Sequence, residues 1–587
     1  MRAVWIRFPA ASITMNNPRV LVWAALLMLL FLNYQAWQHD YGPADTAAAA
    51  AAATTAVAKP DAAHSLDSAV PQTFSTDTTA TPATRIAASA APGAPAPSAE
   101  ASAPEAATAP SVHVRTDVLD MEISLQGGTI VKADLLRYPR VKGEAQPVRL
   151  MNRDSDTSLY ELKGGLTGPG NAARPTHLAN FTAASREYDL GSAAEIAVPL
   201  VWTDGAGVTV TKTFTFHRND YKIALQYTVD NRSSAPWQAA VYAQILRYDP
   251  PGSRSFFFNV EGNGSHGPAY FDGTKYHKLK IDNADDSHLA VDVRNGWFAA
   301  LQHHFVGAVV PAADTTNHFT LGTQGRQFQL SATGPLRSIA ADTTATFDET
   351  LFVGPKLQVD LKTAGPRLEL VTDYGLLAPI AAPLFWLLGQ AHALFGNWGV
   401  SIIFVTFLLK LLFYPLSEAS GRSMAKMKTL APRIKSLQDS YKDDREKLGR
   451  AMMELYKREK INPVAGCLPV IIQIPVFLAF YWVLLESVEM RQAPFFGWIN
   501  DLSSRDPLYI LPGIMAAAMF VQYKLNPTPP DPIQAKVFMI MPLVMSVTFA
   551  FFPAGLVLYW VTNTLLSIAQ QWNINRRIAA AQAKRSA

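Results

Sequence analysis

Residues 374–410 read YGLLAPIAAPLFWLLGQAHALFGNWGVSIIFVTFLLK, and the first 36 of them include no Asp, Glu, Lys or Arg. A continuous helix of that length would extend roughly 54 Å, since each residue adds about 1.5 Å. The hydrocarbon core of a bilayer is only about 30 Å thick, so the run must be broken. Pro379, Pro383 and the pair Gly396-Asn397 supply the breaks.

The two halves of this run predict different helices. In residues 376–395 the apolar positions fall on one helical face, which indicates an interfacial amphipathic helix. Residues 398–416 predict a true membrane span. Further spans are predicted at 467–485, 508–523, 537–552 and 555–574, of which the second and third are short for a bilayer.

The N-terminal part of the chain predicts a membrane anchor and a linker. Residues 1–19 are basic and residues 20–37 are uncharged, but bulky aromatic residues stand where a signal-peptide cleavage site needs small ones. We therefore expect an uncleaved anchor at 20–37 with a cytoplasmic N-terminus. Residues 42–110 are rich in Ala, Pro, Thr and Ser, and this composition predicts a disordered linker.

Residues 111–363 predict a large antiparallel β-sandwich, because short alternating runs are separated by turn residues. Residues 210–216 and 221–229 predict a β-hairpin, and residues 297–310 predict a long apolar strand region. No local cluster of carboxylates, and no nucleophile beside a base, is found in this part of the sequence. A binding or scaffolding role is therefore favoured over catalysis.

Composition excludes several classes of function. The 51 basic and 47 acidic residues leave a surplus of +4, too small to indicate nucleic-acid binding. A single cysteine, Cys467, excludes an internal disulfide and a multi-cysteine zinc site. Neither HExxH nor a nucleotide-binding GxxxxGK[ST] motif occurs, so no metal and no cofactor is expected.

Basic residues are distributed unevenly around the predicted spans. Residues 417–466 hold twelve Lys and Arg and the tail 575–587 holds four, whereas residues 486–507 hold only two. By the positive-inside rule, the first two regions and both termini are expected in the cytoplasm, and the sandwich is expected on the opposite side.

Lys410 is the only charged residue of the span 398–416 and is therefore a functional candidate. Its amine could instead simply reach the cytoplasmic headgroups, about 7.5 Å away along the helix. Polar residues on three spans favour a shared wet cavity, although helix-to-helix hydrogen bonding uses the same residue types. These residues are Thr406, Gln473, Trp560, Asn563, Thr564, Ser567 and Gln571.

The predicted cytoplasmic segment 417–463 has the pattern of a helical hairpin with its turn at 439–444. Met424, Met427 and Met452 lie on the apolar stripes of its two amphipathic helices. Such stripes can dock partners or substrate helices, while the simpler interpretation is a solvated basic face.

Several motifs resemble those of the YidC/Oxa/Alb family of membrane protein insertases. They are Asn462-Pro463, Gly466-Cys467-Leu468-Pro469, Gln473 with Pro475, Arg491-Gln492-Ala493-Pro494-Phe495, Asp506-Pro507, Tyr509-Ile510-Leu511-Pro512 and, at 552–559, FPAGLVLY. The resemblance is dense from residue 373 to residue 574. The order of segments is also similar to that of the Gram-negative members.

This resemblance implies a multi-domain protein of the bacterial inner membrane. Its fold would be a polytopic α-helical membrane core of five spans plus the N-terminal anchor, with a large periplasmic antiparallel β-supersandwich. Its function would be to insert and fold inner-membrane proteins without covalent catalysis, both alone and with the Sec translocon. Insertion would use a hydrophilic groove that is open to the cytoplasm and to lipid.

The resemblance also implies site residues and partners. Lys410 matches a family position that is often Arg, and Thr406, Gln473, Tyr559, Trp560 and Asn563 match or adjoin groove positions. Lys410 keeps the positive charge of that position but lacks the planar fork of arginine. The implied partners are nascent membrane proteins, the Sec translocon with its accessory subunits, and the lipid bilayer. The ribosome or targeting machinery would bind the hairpin and tail.

Two other classes of function stay open from the residues alone. One is a small-solute transporter or channel with a charged intramembrane site, although the sequence shows no internal repeat of the kind that transporters commonly have. The other is a periplasmic sugar-modifying enzyme, which rests only on an analogy of fold.

Overall fold

The computed structural model describes residues 66–72, 110–170, 173–250, 266–283, 286–441, 444–459, 468–525 and 532–586. The predicted anchor at 20–37 and most of the linker 42–110 lie outside these residues. All described residues belong to one compact unit.

Residues 111–355 form twenty described strands. Their bounds are β1 Ser111–Arg115, β2 Leu119–Ser124, β3 Thr129–Pro139, β4 Pro147–Met151, β5 Tyr160–Thr167, β6 Thr182–Ala183, β7 Glu187–Asp189, β8 Glu195–Thr203, β9 Val208–His217, β10 Lys222–Asn231, β11 Trp237–Tyr248, β12 Gly267–Phe271, β13 Tyr276–Lys278, β14 Ala290–Arg294, β15 Trp297–Gln302, β16 Phe305–Pro311, β17 Thr316–Gln324, β18 Gln327–Thr333, β19 Arg337–Ile339 and β20 Thr343–Pro355.

These strands make two sheets that pack face to face around one apolar core. The larger sheet has eleven strands in the order β14-β17-β18-β11-β5-β3-β2-β1-β7, with β19 on β11 and β4 on β3. The smaller has nine, in the order β13-β12-β15-β16-β20-β10-β9-β8-β6. Described strand pairs are antiparallel except the parallel pair β1–β7. The predicted antiparallel sandwich is confirmed.

Alternation of side chains explains how these strands form. In β9 every second residue from Val208 to Phe216 is buried, and β10 continues the pattern as its antiparallel neighbour. Asn219 in the connecting turn adopts a positive φ of 58°, a conformation that asparagine tolerates better than most residues. The long apolar region at 297–310 is in fact two strands, β15 and β16, because His303 and His304 form a tight turn between them.

Nine helices are described after the sandwich. They are α1 Gln358–Ala364, α2 Ala378–Phe395, α3 Trp398–Leu412, α4 Tyr414–Ser440, α5 Arg445–Arg458, α6 Leu468–Glu486, α7 Ile510–Leu525, α8 Pro532–Phe549 and α9 Ala554–Ser586. Short 3₁₀ turns lie at Leu66–Ser68, Asp286–His288, Leu368–Val371, Gly375–Leu377 and Val488–Met490. Helices α2, α3, α6, α7 and α9 share a second apolar core.

Helix ends differ from the predicted span ends by a few residues. Helix α3 ends at Leu412, four residues before the predicted end of its span, because the chain bends by 59° there and Pro415 occupies the first turn of α4. Proline suits a first helical turn, where its missing N–H has no helical partner. Helix α9 continues well past residue 574, so that the basic tail is helical as far as Ser586.

Length and composition single out one described helix, Gly375–Phe395, as long and apolar enough to cross a membrane. The bent pair Trp398–Leu412 and Tyr414–Gly421 passes the same test when its halves are joined. The apolar helices Ile472–Glu486, Ile510–Leu525 and Met539–Phe549 are shorter. The interfacial placement of 376–395 and the number of spans stay predictions.

Candidate functional site

Helix α3 carries Lys410, and its start is fixed by two contacts. Asn397 caps the helix, because its side-chain oxygen accepts a hydrogen bond from the Val400 N–H at 3.1 Å. The Asn397 amide also donates to the Phe495 carbonyl at 3.0 Å. Gly399 lies so close to the Phe495 ring that a Cβ there would overlap it. These contacts hold α3 against the loop that follows α6.

Helix α9 provides the partner of Lys410. The Lys410 ammonium donates a hydrogen bond to the Ser567 hydroxyl at 2.8 Å. Ser567 in turn donates to the Asn563 carbonyl, one helical turn earlier, at 2.7 Å. The half-buried lysine is therefore held on α9 by a hydrogen bond.

Helix α6 closes the arrangement on a third side. The Gln473 amide donates to the Asn563 side-chain oxygen at 2.9 Å. Tyr559, also on α9, stacks on Phe480 with ring centroids 4.6 Å apart. Polar hydrogen bonds and aromatic stacking thus both join α6 to α9.

A cavity lies between these helices. Eleven residues line it, and within the described part of the chain none of them is acidic. They are Thr406, Leu409, Lys410, Phe413, Leu416, Ser417, Ile472, Gln473, Val476, Tyr559 and Asn563. The cavity therefore combines one cation and several neutral polar groups with apolar walls.

The structure brings most of the predicted site residues together. Lys410, Thr406, Gln473, Tyr559 and Asn563 line the cavity, and Ser567 contacts Lys410.

Two predicted positions do not line the cavity, and Thr406 lines it with its hydroxyl group already engaged. The Thr406 hydroxyl bonds back to the Ile402 carbonyl at 2.6 Å. Trp560 and Thr564 are not among the lining residues. The Trp560 ring packs on Phe477 and Phe549 instead, at 4.8 and 5.2 Å.

Sequence reasoning missed the residues just beyond the bend between α3 and α4. Phe413, Leu416 and Ser417 line the cavity because the chain turns there and continues as α4. Pro415, which sets the start of the new helix, was the only local signal of this turn.

The hairpin helices α4 and α5 contact each other through a small apolar cluster. Leu430 and Ile434 of α4 are buried in it, and Met452 of α5 packs against them. The side chains of Met424 and Met427 lie outside the described residues. Among described residues, no group of three or more His, Cys, Asp or Glu side chains could hold a metal ion.

Helix α6 also touches the sandwich at its far end. The carbonyl of Leu485 accepts hydrogen bonds from the Nε2 atoms of His303 and His304, at 2.9 and 3.2 Å. Lys356, directly after β20, pairs with Glu486 at 3.7 Å, and both side chains are fully buried. The sandwich is thus joined to a helix that lines the cavity.

Comparisons with known proteins agree with this architecture. A family model described as 60Kd inner membrane protein matches residues 390–582, and one described as YidC periplasmic domain matches residues 111–387. A membrane protein insertase YidC from Thioalkalivibrio sulfidiphilus (strain HL-EbGR7) is 44% identical over 97% of this chain and 100% of its own. One from Pseudomonas putida (strain W619) is 43% identical over 98% and 100%.

A solved structure described as an active YidC insertase with the first transmembrane domain resolved is also similar to this chain. It is 19% identical, with a TM-score of 0.35, over 79% of this chain and 94% of that one. The assignment of family rests on the sequence relatives.

A helical core with a polar cavity, joined to a two-sheet sandwich and matched by these relatives over its length, defines a membrane protein insertase. The chain belongs to the YidC family of such insertases. It is therefore an inner-membrane protein with a periplasmic domain, and it is not an enzyme with covalent catalysis. The predicted family and the predicted insertase function are confirmed.

Proposed function

We propose that the cavity around Lys410 receives a polar segment of an incoming membrane protein, and that the apolar part of this protein then moves sideways into lipid. The observation that carries the proposal is a lysine held by Ser567 in a cavity whose described lining has no acidic residue. A carboxylate of the client would be attracted to this unbalanced charge. The side chains of Gln473, Tyr559 and Asn563 would donate hydrogen bonds to it.

Two opposing contributions to the free energy decide this route: the cost of moving polar groups into hydrocarbon and the gain from moving apolar surface out of water. A polar segment loses several kcal/mol for each unsatisfied group that enters hydrocarbon, whereas a wet cavity lets it keep part of its hydration. The apolar span of the client gains about 25 cal/mol for each Å² that leaves water. Apolar burial in lipid would therefore drive insertion, and the cavity would lower the barrier for the polar part.

We also propose the topology and partners that the basic residues indicate. Both termini and the α4–α5 hairpin would face the cytoplasm, since the hairpin region and the tail carry most of the Lys and Arg around the spans. Nascent membrane proteins and the lipid bilayer would be the immediate partners. The hairpin and tail would contact the ribosome or targeting machinery, and the membrane core would also work beside the Sec translocon and its accessory subunits.

Reconstitution of Lys410 variants in proteoliposomes tests the proposal. Two versions of a small Sec-independent client would be compared, one with acidic and one with neutral residues in its translocated tail. We expect Lys410→Arg to keep insertion, and Lys410→Glu to slow the acidic client at least about tenfold more than the neutral one, a difference of ~1.4 kcal/mol.

Lys524 at the end of α7 offers a matched control, because it is exposed and lies outside the cavity lining. Lys524→Glu should affect the two clients equally. Equal insertion of both clients by the Lys410→Glu variant would refute the role of this charge and would favour a lysine that only anchors its helix.

A further inference from the structure

Strand β5 is buried along its whole length, which is unusual for a strand in a two-sheet sandwich. Successive side chains of a strand point to opposite faces, and only one face meets the other sheet. Leu162 and Leu166 belong to the apolar core, so Glu161, Lys163 and Thr167 point outward. Yet these three residues are only 1%, 2% and 5% exposed. The outer face of the large sheet must therefore be covered.

Buried polar residues continue across the neighbouring strands. Gln244 of β11 lies directly opposite Lys163 of β5 and, on its other side, opposite Ser331 of β18. Gln329 lies two residues before Ser331, so it points to the same side. All are at most 5% exposed. We call this surface, made of Glu161, Lys163, Thr167, Gln244, Gln329 and Ser331, the outer polar face.

Residues 66–72, LDSAVPQ, cover the outer polar face. Three carbonyls at alternating positions accept hydrogen bonds from the sheet and its flanking loop. The Asp67 carbonyl pairs with the His177 Nε2 at 3.0 Å, the Ala69 carbonyl with the Gln244 amide at 3.1 Å, and the Pro71 carbonyl with the Thr167 hydroxyl at 3.0 Å. The linker was predicted to be disordered throughout, and this prediction is wrong for these seven residues.

The side chain of Asp67 also contacts the outer polar face. The Asp67 carboxylate forms an ion pair with Lys163, which in turn lies 3.4 Å from Glu161. Leu66 packs at Gly322 of β17, where the absence of a side chain leaves room for it.

His177 contacts the segment as a neutral side chain that donates a hydrogen bond. Its Nδ1 lies 2.7 Å from the Tyr242 hydroxyl, which leaves the Nε2–H to donate to the Asp67 carbonyl. Burial and the nearby Lys163 lower the pKa of His177 to about 4, so the ring is uncharged at neutral pH.

The chemistry of the outer polar face identifies the class of its ligand. Main-chain carbonyl oxygens are common to every polypeptide, whatever its side chains. The face also holds unused acceptors, since the buried side-chain oxygens of Gln244 and Gln329 have no hydrogen-bond partner within the described structure. Main-chain N–H groups are the donors that a peptide supplies.

We propose that the outer polar face is a binding site for a short polypeptide segment, and that residues 66–72 of the linker, which begin with the 3₁₀ turn Leu66–Ser68, occupy it as an intramolecular ligand. The site is separate from the cavity at Lys410 and belongs to the periplasmic domain. A second peptide with the same pattern of carbonyls and an acidic residue would compete with the linker for it.

Peptide binding to the full-length protein in detergent tests this site without any measurement of insertion. In one variant, residues 66–72 are replaced by a Gly-Ser segment of equal length, which empties the face. The probe is a fluorescently labelled synthetic peptide of residues 64–74, and fluorescence anisotropy reports its binding. We expect the emptied variant to bind the probe at least about tenfold more tightly than the intact chain, because an intramolecular ligand blocks the site.

Two glutamines of β11 provide a matched pair of substitutions in the emptied variant. Gln244→Ala removes the donor to the Ala69 carbonyl and should weaken binding about tenfold, equivalent to ~1.4 kcal/mol. Gln238→Ala, at an exposed position of the same strand, should leave binding unchanged. A probe peptide carrying Asp67→Asn should also bind more weakly, because it loses the charge that pairs with Lys163.

Equal probe binding by the intact and emptied chains, absence of binding to both, or equal effects of Gln244→Ala and Gln238→Ala would overturn the proposal.

Discussion

A buried ion pair joins the periplasmic sandwich to the membrane core, and it predicts a large effect of a small substitution. The side chains of Lys356 and Glu486 are 0% and 1% exposed, with Nζ and Oε2 3.7 Å apart. Burial lowers the pKa of Lys356 to about 8, and the Glu486 carboxylate opposes this shift. The charged lysine therefore depends on its partner.

Glu486→Gln would keep the shape of the side chain but remove the negative charge. Removing one member of a buried ion pair typically costs about 3–5 kcal/mol. Lys356→Met should cost a similar amount, because it removes the cation beside the buried carboxylate. The double variant buries neither charge, so its cost should be smaller than the sum of the single costs by at least about 2 kcal/mol.

Chemical unfolding of the full-length protein in detergent, followed by tryptophan fluorescence, would measure these differences. The exposed pair Arg294–Asp314, 3.3 Å apart on the sandwich, is the matched control. Asp314→Asn should change stability by less than about 1 kcal/mol, because exposed ion pairs contribute little. If Glu486→Gln were no more destabilising than Asp314→Asn, or if the two single costs simply added, the inferred role of the pair would be wrong.

Two further predictions concern packing and acidity. Gly399→Ala should destabilise the core by about 1–3 kcal/mol, because the added Cβ overlaps the Phe495 ring. Adding Phe495→Ala to this variant should recover part of the lost stability in the same unfolding assay. Undiminished stability of the Gly399→Ala variant would contradict this contact. The periplasmic domain should lose stability as the pH falls from about 6.5 toward 4, because in this pH range the buried histidines take up protons only in the unfolded chain. The loss should be up to about 1.4 kcal/mol per pH unit for each histidine that is buried in its neutral form. Burial lowers the pKa of His177 and of His303 to about 4, and it holds the pKa of His304 well below 6.5. Unfolding midpoints at pH 7 and pH 5 would measure the loss, and a higher midpoint at pH 5 would contradict it.

The helices of the membrane core could be located from the sequence because apolar runs between charged segments permit few alternatives. What the runs did not reveal is where a helix bends. From Phe404 to Leu416 the only charged residue is Lys410 and the chain stays largely apolar on both sides of Leu412, so hydropathy does not mark the end of α3 there. The bend follows from packing and from Pro415, and it brings Ser417 into the cavity lining.

The polar stripe of the last span was predicted from helical spacing, and two of its five members, Asn563 and Ser567, reach the site, whereas Tyr559 was implied by the family resemblance. Tyr559, Asn563 and Ser567 are each four residues apart and so lie along one face of α9. Trp560 lies one residue, or about 100°, further round the helix, and there it meets Phe477 and Phe549. Spacing alone could not tell which part of the stripe would meet aromatic rings.

The bound linker segment could not have been predicted from composition. Residues 66–72 contain only two large apolar side chains, Leu66 and Val70, within a stretch rich in small residues. Most of their contacts with the sheet are made by main-chain carbonyls, which every sequence has. The signal lay instead in the sandwich, where Lys163 and Thr167 alternate with core residues and would have no reason to be buried without a cover.

Helix α6 connects the sandwich to the cavity, because it contacts both. Its last turn is held by the sandwich through Leu485 and Glu486, and Gln473, twelve residues before Leu485, holds Asn563 beside the cavity. A helix rises about 1.5 Å per residue, so these two attachments are roughly 18 Å apart along α6, with Pro475 between them. The pair Lys356–Glu486 therefore stabilises the last turn of the same helix that lines the polar cavity.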